Sequence, residues 1–249
     1  MSIFQKLFRQ KPHIIGMIHV RTLPDLLGRN SSLDEIIDKA CTESEIYKEC
    51  GVDSVLIENM HDVPYLQPES MEPEVTSIMT RICTEVRRCL PKTMNCGVQI
   101  LAGANKEALA VALASNLQFI RAEGYVYSQI SDEGLMNACA GTLFRYRRNI
   151  QAENVLIFTD IKKKHCSHTI TSDLSISDIA KAAEFFLSDG VIITGHFTGT
   201  PANIEEFHAV KKSCKIPVII GSGVNSENIC EYRDADAIII GSDFKRDGR

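Results

Sequence analysis

The chain has 249 residues, of which 44% are hydrophobic and 24% are charged, and its formal net charge at pH 7 is -5. Such a chain can bury one large core, and no linker or low-complexity tract divides it, so we expect a single domain over residues 1–249. The acidic balance argues against a nucleic-acid partner, and no apolar run is long enough to span a bilayer.

The first segment, MSIFQKLFRQKPHII, has two interpretations. It carries Lys6, Arg9 and Lys11 among apolar residues and no acid before Asp25, as an amphipathic transit peptide does. We favour a short helix that plugs the bottom of the fold, because the segment is short and almost lacks serine. The nine cysteines form no C-x-x-C pair and follow no secretory signal, which indicates reduced thiols in a cytoplasmic protein, with a mitochondrial location as the alternative.

Short apolar runs recur along the chain at regular intervals. Their length, β-branching and near-continuous apolarity are typical of strands buried on both faces of a parallel sheet. In chain order the runs are IIGMI (14–18), SVLIE (54–58), CGVQIL (96–101), LQFIRA (117–122), VLIFTDI (155–161), GVIIT (190–194), PVIIG (217–221) and AIIIG (237–241).

Helical patterns separate these runs. Ser32 and Ser175 each begin a capping box, and Thr200-Pro201 places a proline where the first helical turn tolerates one. Eight strands and seven intervening helices predict a (β/α)8 TIM barrel of the α/β class, and an open doubly wound sheet is the competing fold.

Only seven residues follow Ser242, too few and too polar for an eighth helix. We therefore expect a barrel that is short at its C-terminus and lacks its final helix. An uncovered last strand would expose apolar surface, which disfavours a stable monomer and leaves a homo-oligomer open.

Polar residues concentrate where the predicted strands end, which is the active face of such a barrel. The seventh and eighth strands end in GSGV and IIGS, and the loops after these two strands form the phosphate site of many TIM barrels. Glycine permits close approach of backbone N–H groups, and the serine hydroxyls can donate hydrogen bonds. The predicted phosphate-binding residues are Gly221, Ser222, Gly223, Gly241 and Ser242, with Thr194 and Gly195 as a third wall.

The stretch FTDIKKKH (158–165) ends the fifth strand with charged residues. If the strand continues, its period of two places Asp160, Lys162 and Lys164 on one side. Lys162 could serve as a Schiff-base amine, a general acid or base, or a cation for phosphate, whereas Lys163 is interpreted as a solvated loop residue. We predict catalytic roles for Lys162 and Asp160.

Other strand ends supply further candidates. Glu58 is a predicted catalytic residue, and the polar loop residues that follow it are explained better by loop hydrogen bonds than by a metal site. Arg121 and Glu123 lie on one side of the fourth strand, either as a buried ion pair or as part of an acid–base set. His19 is either a core histidine or a general base.

The chain resembles the BtpA family (photosystem I biogenesis protein BtpA and SgcQ-like proteins). The resemblance runs over almost the whole chain through IIGMIHVRTLP, VDSVLIENMHDVPY, DEGLMNACAGTLFRYRR, FTDIKKKH, FFLSDGVIITG and PVIIGSGV. The FTDIKKKH and AEGYVYS versions look most like animal members. The family is similar to ribulose-phosphate-binding barrels, which implies phosphate capture at the glycines and serines after the last two strands.

Two functions follow as hypotheses. The first is an enzyme that acts on a phosphorylated sugar or a related small metabolite, with isomerase, epimerase, lyase and glycosidic cleavage all open. The second is a non-catalytic scaffold or complex-assembly factor. We expect neither a cofactor nor a metal, and the expected ligand is a phosphorylated small molecule.

Overall fold

The computed structural model describes residues 2–9, 11–24 and 31–248. Eight parallel strands close into a barrel in the spatial order β1-β11-β10-β9-β7-β4-β3-β2. The strands of the described chain are β1 (His13–His19), β2 (Ser54–Glu58), β3 (Asn95–Gln99), β4 (Phe119–Ala122), β5 (Gln129–Ser131), β6 (Gly134–Met136), β7 (Leu156–Ile161), β8 (Cys166–Ser167), β9 (Gly190–Ile193), β10 (Val218–Ile220) and β11 (Ala237–Ile240). All eight predicted strands are barrel strands, so the predicted TIM barrel is confirmed and the open sheet is wrong.

Among the described residues, six α-helices lie between the barrel strands, and a shorter one precedes them. They are α1 (Ile3–Leu7), α2 (Leu33–Glu49), α3 (Pro73–Cys89), α4 (Asn105–Ala114), α5 (Ala140–Asn149), α6 (Ile176–Phe185) and α7 (Ile204–Ser213). The seventh predicted helix, between β10 and β11, is only a 3₁₀ helix, Ile229–Tyr232.

Two of the three predicted helix starts are confirmed. Ser32 and Ser175 both close capping boxes at the first turns of α2 and α6. The start predicted at Thr200-Pro201 is wrong: α7 begins at Ile204, because the side chain of Asn203 caps it by accepting the backbone N–H of Glu206.

The last barrel strand is covered, contrary to the expectation from the sequence. From Ser242 to Gly248 the described chain forms two 3₁₀ helices, Ser242–Phe244 and Arg246–Gly248. This segment folds against α2, where the ring of Phe244 lies 5.7 Å from that of Tyr47. Ile238 and Ile240 are consequently buried, and β11 exposes no apolar seam.

Helix α1 plugs the bottom of the barrel. Phe4 and Phe8 stack with their ring centroids 4.5 Å apart, and Phe8 meets Phe119 and Phe158 edge-on at 5.7 and 5.5 Å. The side-chain amide of Asn95 donates to the carbonyl of Leu7 at 2.7 Å and fixes the end of the helix. This arrangement confirms the interpretation of the N-terminal segment as a plug.

A small antiparallel sheet, in the order β6-β5-β8, lies over the opposite end and was not predicted. Its hairpin turn carries Asp132 and Glu133, and the side-chain amide of Gln67 holds the turn by donating to the carbonyl of Glu133 at 2.6 Å. Within the described ranges, no helix is sufficiently long and apolar to cross a membrane.

Candidate active site

A cavity of about 310 Å³ opens at the carboxyl ends of the barrel strands. Nine of the predicted site residues line it, namely His19, Glu58, Arg121, Glu123, Gly221, Ser222, Gly223, Gly241 and Ser242. The other four, Asp160, Lys162, Thr194 and Gly195, do not. The structure therefore brings most of the predicted residues into one cavity. Lys163 and Lys164 line that cavity where Lys162 was expected.

Arg121 and Asp160 form a buried bidentate ion pair. The guanidinium Nε lies 3.0 Å from Oδ2 and Nη2 lies 2.8 Å from Oδ1 of the carboxylate. Burial lowers the pKa of Arg121, but the charge of Asp160 outweighs that effect and holds the pKa above its ordinary value. Arg121 thus presents a fixed positive charge to the cavity, and Asp160 is its counter-ion rather than a group that reaches a ligand.

Glu123 pairs with Lys163 and not with Arg121. Its carboxylate lies 3.2 Å from the ammonium of Lys163 and accepts hydrogen bonds from the side chain of Gln99 and the backbone of Gly103, both at 2.9 Å. Burial lowers the pKa of Lys163, whereas the charge of Glu123 raises it, and the net shift is upward. The interpretation of Lys163 as a solvated loop residue is wrong, because its side chain is buried at the cavity.

Lys162 points away from the cavity, contrary to the geometry expected from the strand period. Strand β7 ends at Ile161, and Lys162 has a positive φ of 45°, which breaks the alternation. Its side chain lies instead at a small outer pocket beside Asp160 and His168. Lys163 and Lys164 occupy the cavity in its place.

The pKa values of Lys164 and Glu58 are shifted in opposite directions. Burial, followed by the charge of Arg121, lowers the pKa of Lys164, and Glu58 acts against this shift. Burial raises the pKa of Glu58, while Arg121 and Lys164 oppose the shift. Both shifts favour the neutral forms, in which the Glu58 carboxyl can donate a proton and the Lys164 amine can accept one. The backbone N–H of Lys164 donates to Oγ1 of Thr194 at 3.0 Å and fixes this position.

His19 is a neutral imidazole at physiological pH. Burial lowers its pKa to about 3, and the charges of Lys245, His61 and Lys164 act in the same direction. The Nδ1 atom is buried and has no hydrogen-bond partner among the described residues. His19 therefore faces the cavity as an uncharged hydrogen-bonding group.

The glycines at the ends of β10 and β11 allow close packing of a neighbouring loop. Gly223 has a φ of +68°, and a Cβ there would lie 2.2 Å from backbone atoms of Thr200 and Pro201. A Cβ on Gly221 would lie 2.4 Å from Ile192 and 3.5 Å from Nη2 of Arg121. Gly223 lets the loop before α7 cross the barrel mouth. Gly221 places its backbone beside the guanidinium of Arg121.

Three of the predicted phosphate ligands have structural partners instead. The hydroxyl of Ser222 donates to the carbonyl of Thr200 at 2.9 Å and accepts the backbone N–H of Gly195 at 2.7 Å. Its only proton is committed, so Ser222 cannot donate to a phosphate in this arrangement. Thr194 and Gly195 are likewise engaged and lie outside the cavity. Among the described residues, the backbone N–H groups of Gly223 and Ser242 have no acceptor.

The polar loop after β2 is held by its own hydrogen bonds, as the sequence indicated. The carboxylate of Asp62 accepts from the backbone of Leu23 at 2.8 Å and from the side chain of Asn59 at 3.2 Å. Asn59 in turn accepts the backbone N–H of Leu101 at 2.8 Å. In the part of the chain that the structure describes, no group of three or more His, Cys, Asp or Glu side chains is placed to hold a metal ion.

The BtpA family model matches residues 9–249. This chain belongs to the BtpA family. It is 47% identical over 242 residues to an uncharacterized mitochondrial protein of Caenorhabditis elegans, a match that covers 96% of this chain and 87% of the relative. It is 31% identical over 250 residues to the photosystem I biogenesis protein BtpA of Synechocystis. That match covers 100% of this chain and 85% of the relative.

Solved structures support the fold. The N-acetylmannosamine-6-phosphate 2-epimerase of Clostridium perfringens superposes with a TM-score of 0.61 at 13% identity, and the match covers 99% of this chain and 92% of the epimerase. An identity this low shows a shared TIM barrel and nothing about the reaction. The function of this BtpA-family barrel must therefore be argued from its own cavity.

Several cavity residues lie outside the site predicted from the sequence, although Gln99 and Lys164 were considered as candidates. Lys163 and Lys164 belong to the same KKKH run as Lys162, and the positive φ that selects between them has no sequence signal. Asp132 and Glu133 come from the hairpin of the small sheet, for which the turn residues SDEG were an available signal. Gln99 ends β3, and its position at a strand end marked it as a candidate.

Proposed function

We propose that this BtpA-family chain is an enzyme that binds a phosphorylated, sugar-like metabolite in the barrel mouth and catalyses acid–base chemistry on it. One observation carries the proposal: Lys164 and Glu58 line the same cavity with pKa values displaced in opposite directions. Perturbed titratable groups of this kind concentrate at catalytic sites, because proton transfer requires a donor and an acceptor near the working pH.

The phosphate end of the site lies at β10 and β11. The free backbone N–H groups of Gly223 and Ser242 supply donors, and the Ser242 hydroxyl borders the same cavity. The guanidinium of Arg121 lies next to Gly221, so a positive charge stands behind the glycine backbone. Backbone donors with a nearby guanidinium are a common means of holding a phosphate dianion. This arrangement replaces the Ser222, Thr194 and Gly195 contacts expected from the sequence.

The reacting part of the ligand would lie between this end and the two titrating groups. Neutral Lys164 can remove a proton from carbon or oxygen, and protonated Glu58 can donate one to the departing or rearranging oxygen. The pair serves isomerisation, epimerisation and bond cleavage equally, since each requires one base and one acid. In this proposal Asp160 does not contact the ligand and acts by orienting Arg121. Lys162 takes no part in binding or catalysis.

The test uses the lysine run as its own control. Turnover of a library of sugar phosphates is measured for the native chain and for Lys164→Met, Glu58→Gln and Lys162→Met. We expect Lys164→Met and Glu58→Gln to lower kcat by about 10²- to 10⁴-fold, the usual contribution of a general acid or base. Lys162→Met should stay within about twofold, because its side chain lies outside the cavity. Retained turnover in Lys164→Met, or an equal loss in Lys162→Met, contradicts the assignment.

A scaffold function remains the second candidate because one surface favours it. Phe185, Phe186 and Leu187 at the end of α6 are 80%, 48% and 57% exposed, and no described element covers them. Large adjacent apolar side chains on a surface commonly mark a protein contact. If no sugar phosphate is turned over or raises the melting temperature, while Phe185→Ser abolishes binding to a partner, the scaffold function replaces the enzyme.

A further inference from the structure

One side of the cavity is apolar, and it lies across the barrel from the phosphate end. Met60, Val63, Tyr65 and Leu101 form this side, which we call the apolar wall. Its residues follow β2 and β3, whereas the glycines follow β10 and β11. In the closed strand order, β3 stands four places from β10 and β2 stands three places from it, so the wall lies on the far side of the barrel from β10. Strand β2 is two places from β11, so the wall approaches the phosphate end on that side.

The apolar wall presents the ring of Tyr65 rather than its hydroxyl. That hydroxyl donates to the carbonyl of Met60 at 2.6 Å, which occupies its proton and fixes the ring. The ring packs against the cluster of Leu101, Ala102 and Met136. A fixed aromatic ring beside a thioether is a surface that a flat apolar group can contact closely.

The edge of the apolar wall carries two carboxylates. Asp132 and Glu133 of the β5–β6 hairpin line the same cavity, and Gln67 ties the hairpin to the segment just after Tyr65. Oε2 of Glu133 is buried without a hydrogen-bond partner among the described residues. Glu133 as a residue is half-buried and lines the cavity, so its carboxylate can accept a hydrogen bond from an N–H donor of a ligand there. The same negative charge disfavours a phosphate at this end and so orients the ligand.

We propose that the substrate is a phosphate ester whose far end is a planar nitrogen heterocycle bearing an N–H donor. The proposal rests on the proposed function, since it takes the phosphate to lie at β10 and β11. The heterocycle lies on the apolar wall and donates to Glu133, and the atoms between ring and phosphate lie beside Lys164 and Glu58. A cavity of about 310 Å³ suits a ligand of mononucleotide size better than a long hydrocarbon, which would have to pass the hairpin acids.

Calorimetric titration with four matched probes tests this inference: inorganic phosphate, ribose 5-phosphate, adenosine 5′-monophosphate and adenosine. We expect the mononucleotide to bind at least about tenfold more tightly than ribose 5-phosphate, because the ring buries against the apolar wall. Val63→Ser and Met60→Ser should remove most of that advantage and leave the affinity for ribose 5-phosphate unchanged. Val63 is 49% exposed, so serine there should not unfold the protein.

The outcomes separate the two proposals. Ile46→Ser, on the outside of α2 and 51% exposed, is the matched control and should change no affinity. Equal affinities for the mononucleotide and ribose 5-phosphate, or wall variants without effect, overturn the heterocycle while leaving the phosphate end standing. Adenosine binding as tightly as the mononucleotide, or binding by none of the four probes, overturns the phosphate end and this inference with it.

Discussion

The two ends of the barrel are built from the same strands but from opposite chemistry. At the bottom, Phe119 and Phe158 lie with ring centroids 5.4 Å apart and are closed off by the aromatic rings of α1. Two residues further along the same strands stand Arg121 and Asp160, joined by two hydrogen bonds. Residues two apart project from the same side of a strand, so an aromatic layer lies directly beneath an ionic one.

This contrast assigns different tasks to the two ends. The aromatic layer gains free energy by removing apolar area from water, which depends little on charge or ligand. The ionic layer holds buried charges whose pairing largely offsets the cost of their desolvation, so the intact pairs contribute little net stability. Substitutions in the aromatic layer should therefore change the free energy of unfolding without changing binding, and substitutions of groups that face the ligand at the mouth should change binding and its pH dependence.

The largest expected effect comes from the plug. Phe8→Ala removes a ring that is 2% exposed and that contacts three other phenylalanine rings, so we expect the free energy of unfolding to fall by about 3–5 kcal/mol. Urea denaturation measures this loss, and the affinity for inorganic phosphate should be unchanged in the folded variant. Ile3→Ala on the same helix is the control: Ile3 is 41% exposed, and the expected change is within about 0.5 kcal/mol. If Ile3→Ala lowers the free energy of unfolding as much as Phe8→Ala does, burial of the Phe8 ring is not what stabilises the barrel.

A smaller effect distinguishes a structural serine from a ligand-binding one at the mouth. Ser222→Ala leaves the N–H of Gly195 and the carbonyl of Thr200 without their partner, which should cost about 1–3 kcal/mol of stability. Ser242→Ala, whose hydroxyl makes no such link among the described residues, should leave the melting temperature unchanged and weaken phosphate binding. If Ser222→Ala instead weakens phosphate binding and Ser242→Ala lowers stability, Ser222 is the phosphate ligand and Ser242 is the structural serine.

The fold was predictable from the sequence because the strand signal is repeated eight times. Each run from IIGMI to AIIIG is buried on both faces, so its composition alone identifies it, and closure then follows from their number and spacing. The plug was also predictable, since Phe4 and Phe8 could bury only against the nearest core. The folding of the C-terminal segment against α2 was not, because it depends on a tertiary contact between Phe244 and Tyr47 that seven polar-rich residues do not predict.

The site was predictable at the level of strand ends but not of side-chain direction. A single positive φ at Lys162 decides which lysines of the KKKH run enter the cavity, and that angle depends on the loop around it. The GSG stretch suggested close approach of a ligand to the backbone, which stays a prediction. The structure adds a second cause, because Gly223 also makes room for the backbone of Thr200 and Pro201. Local composition identified the position at which another group comes close to the backbone. It did not identify whether that group is a ligand or a neighbouring loop.

The smallest effect tests the mouth through the pH dependence of stability. Because burial lowers the pKa of His19 to about 3 from an ordinary 6.5, the unfolded chain binds a proton between these values that the folded protein does not. Stability from this group is therefore fully present above pH 6.5 and declines as the pH falls toward 3. In His19→Gln, the slope of unfolding free energy against pH between 5 and 6 should drop by about 1.4 kcal/mol per pH unit.

The matched control is His208→Gln on α7, where the side chain is exposed and lies far from the cavity. The slopes of both variants and of the native chain are measured by urea denaturation at closely spaced pH values. If His19→Gln keeps the native slope, the imidazole titrates in the folded protein as it does in the unfolded one, and it would then be charged below pH 6.5. A charged His19 would add a further cation to the mouth, where Arg121 and Lys163 already carry positive charge, and the balance of charge assigned to this end would have to be revised.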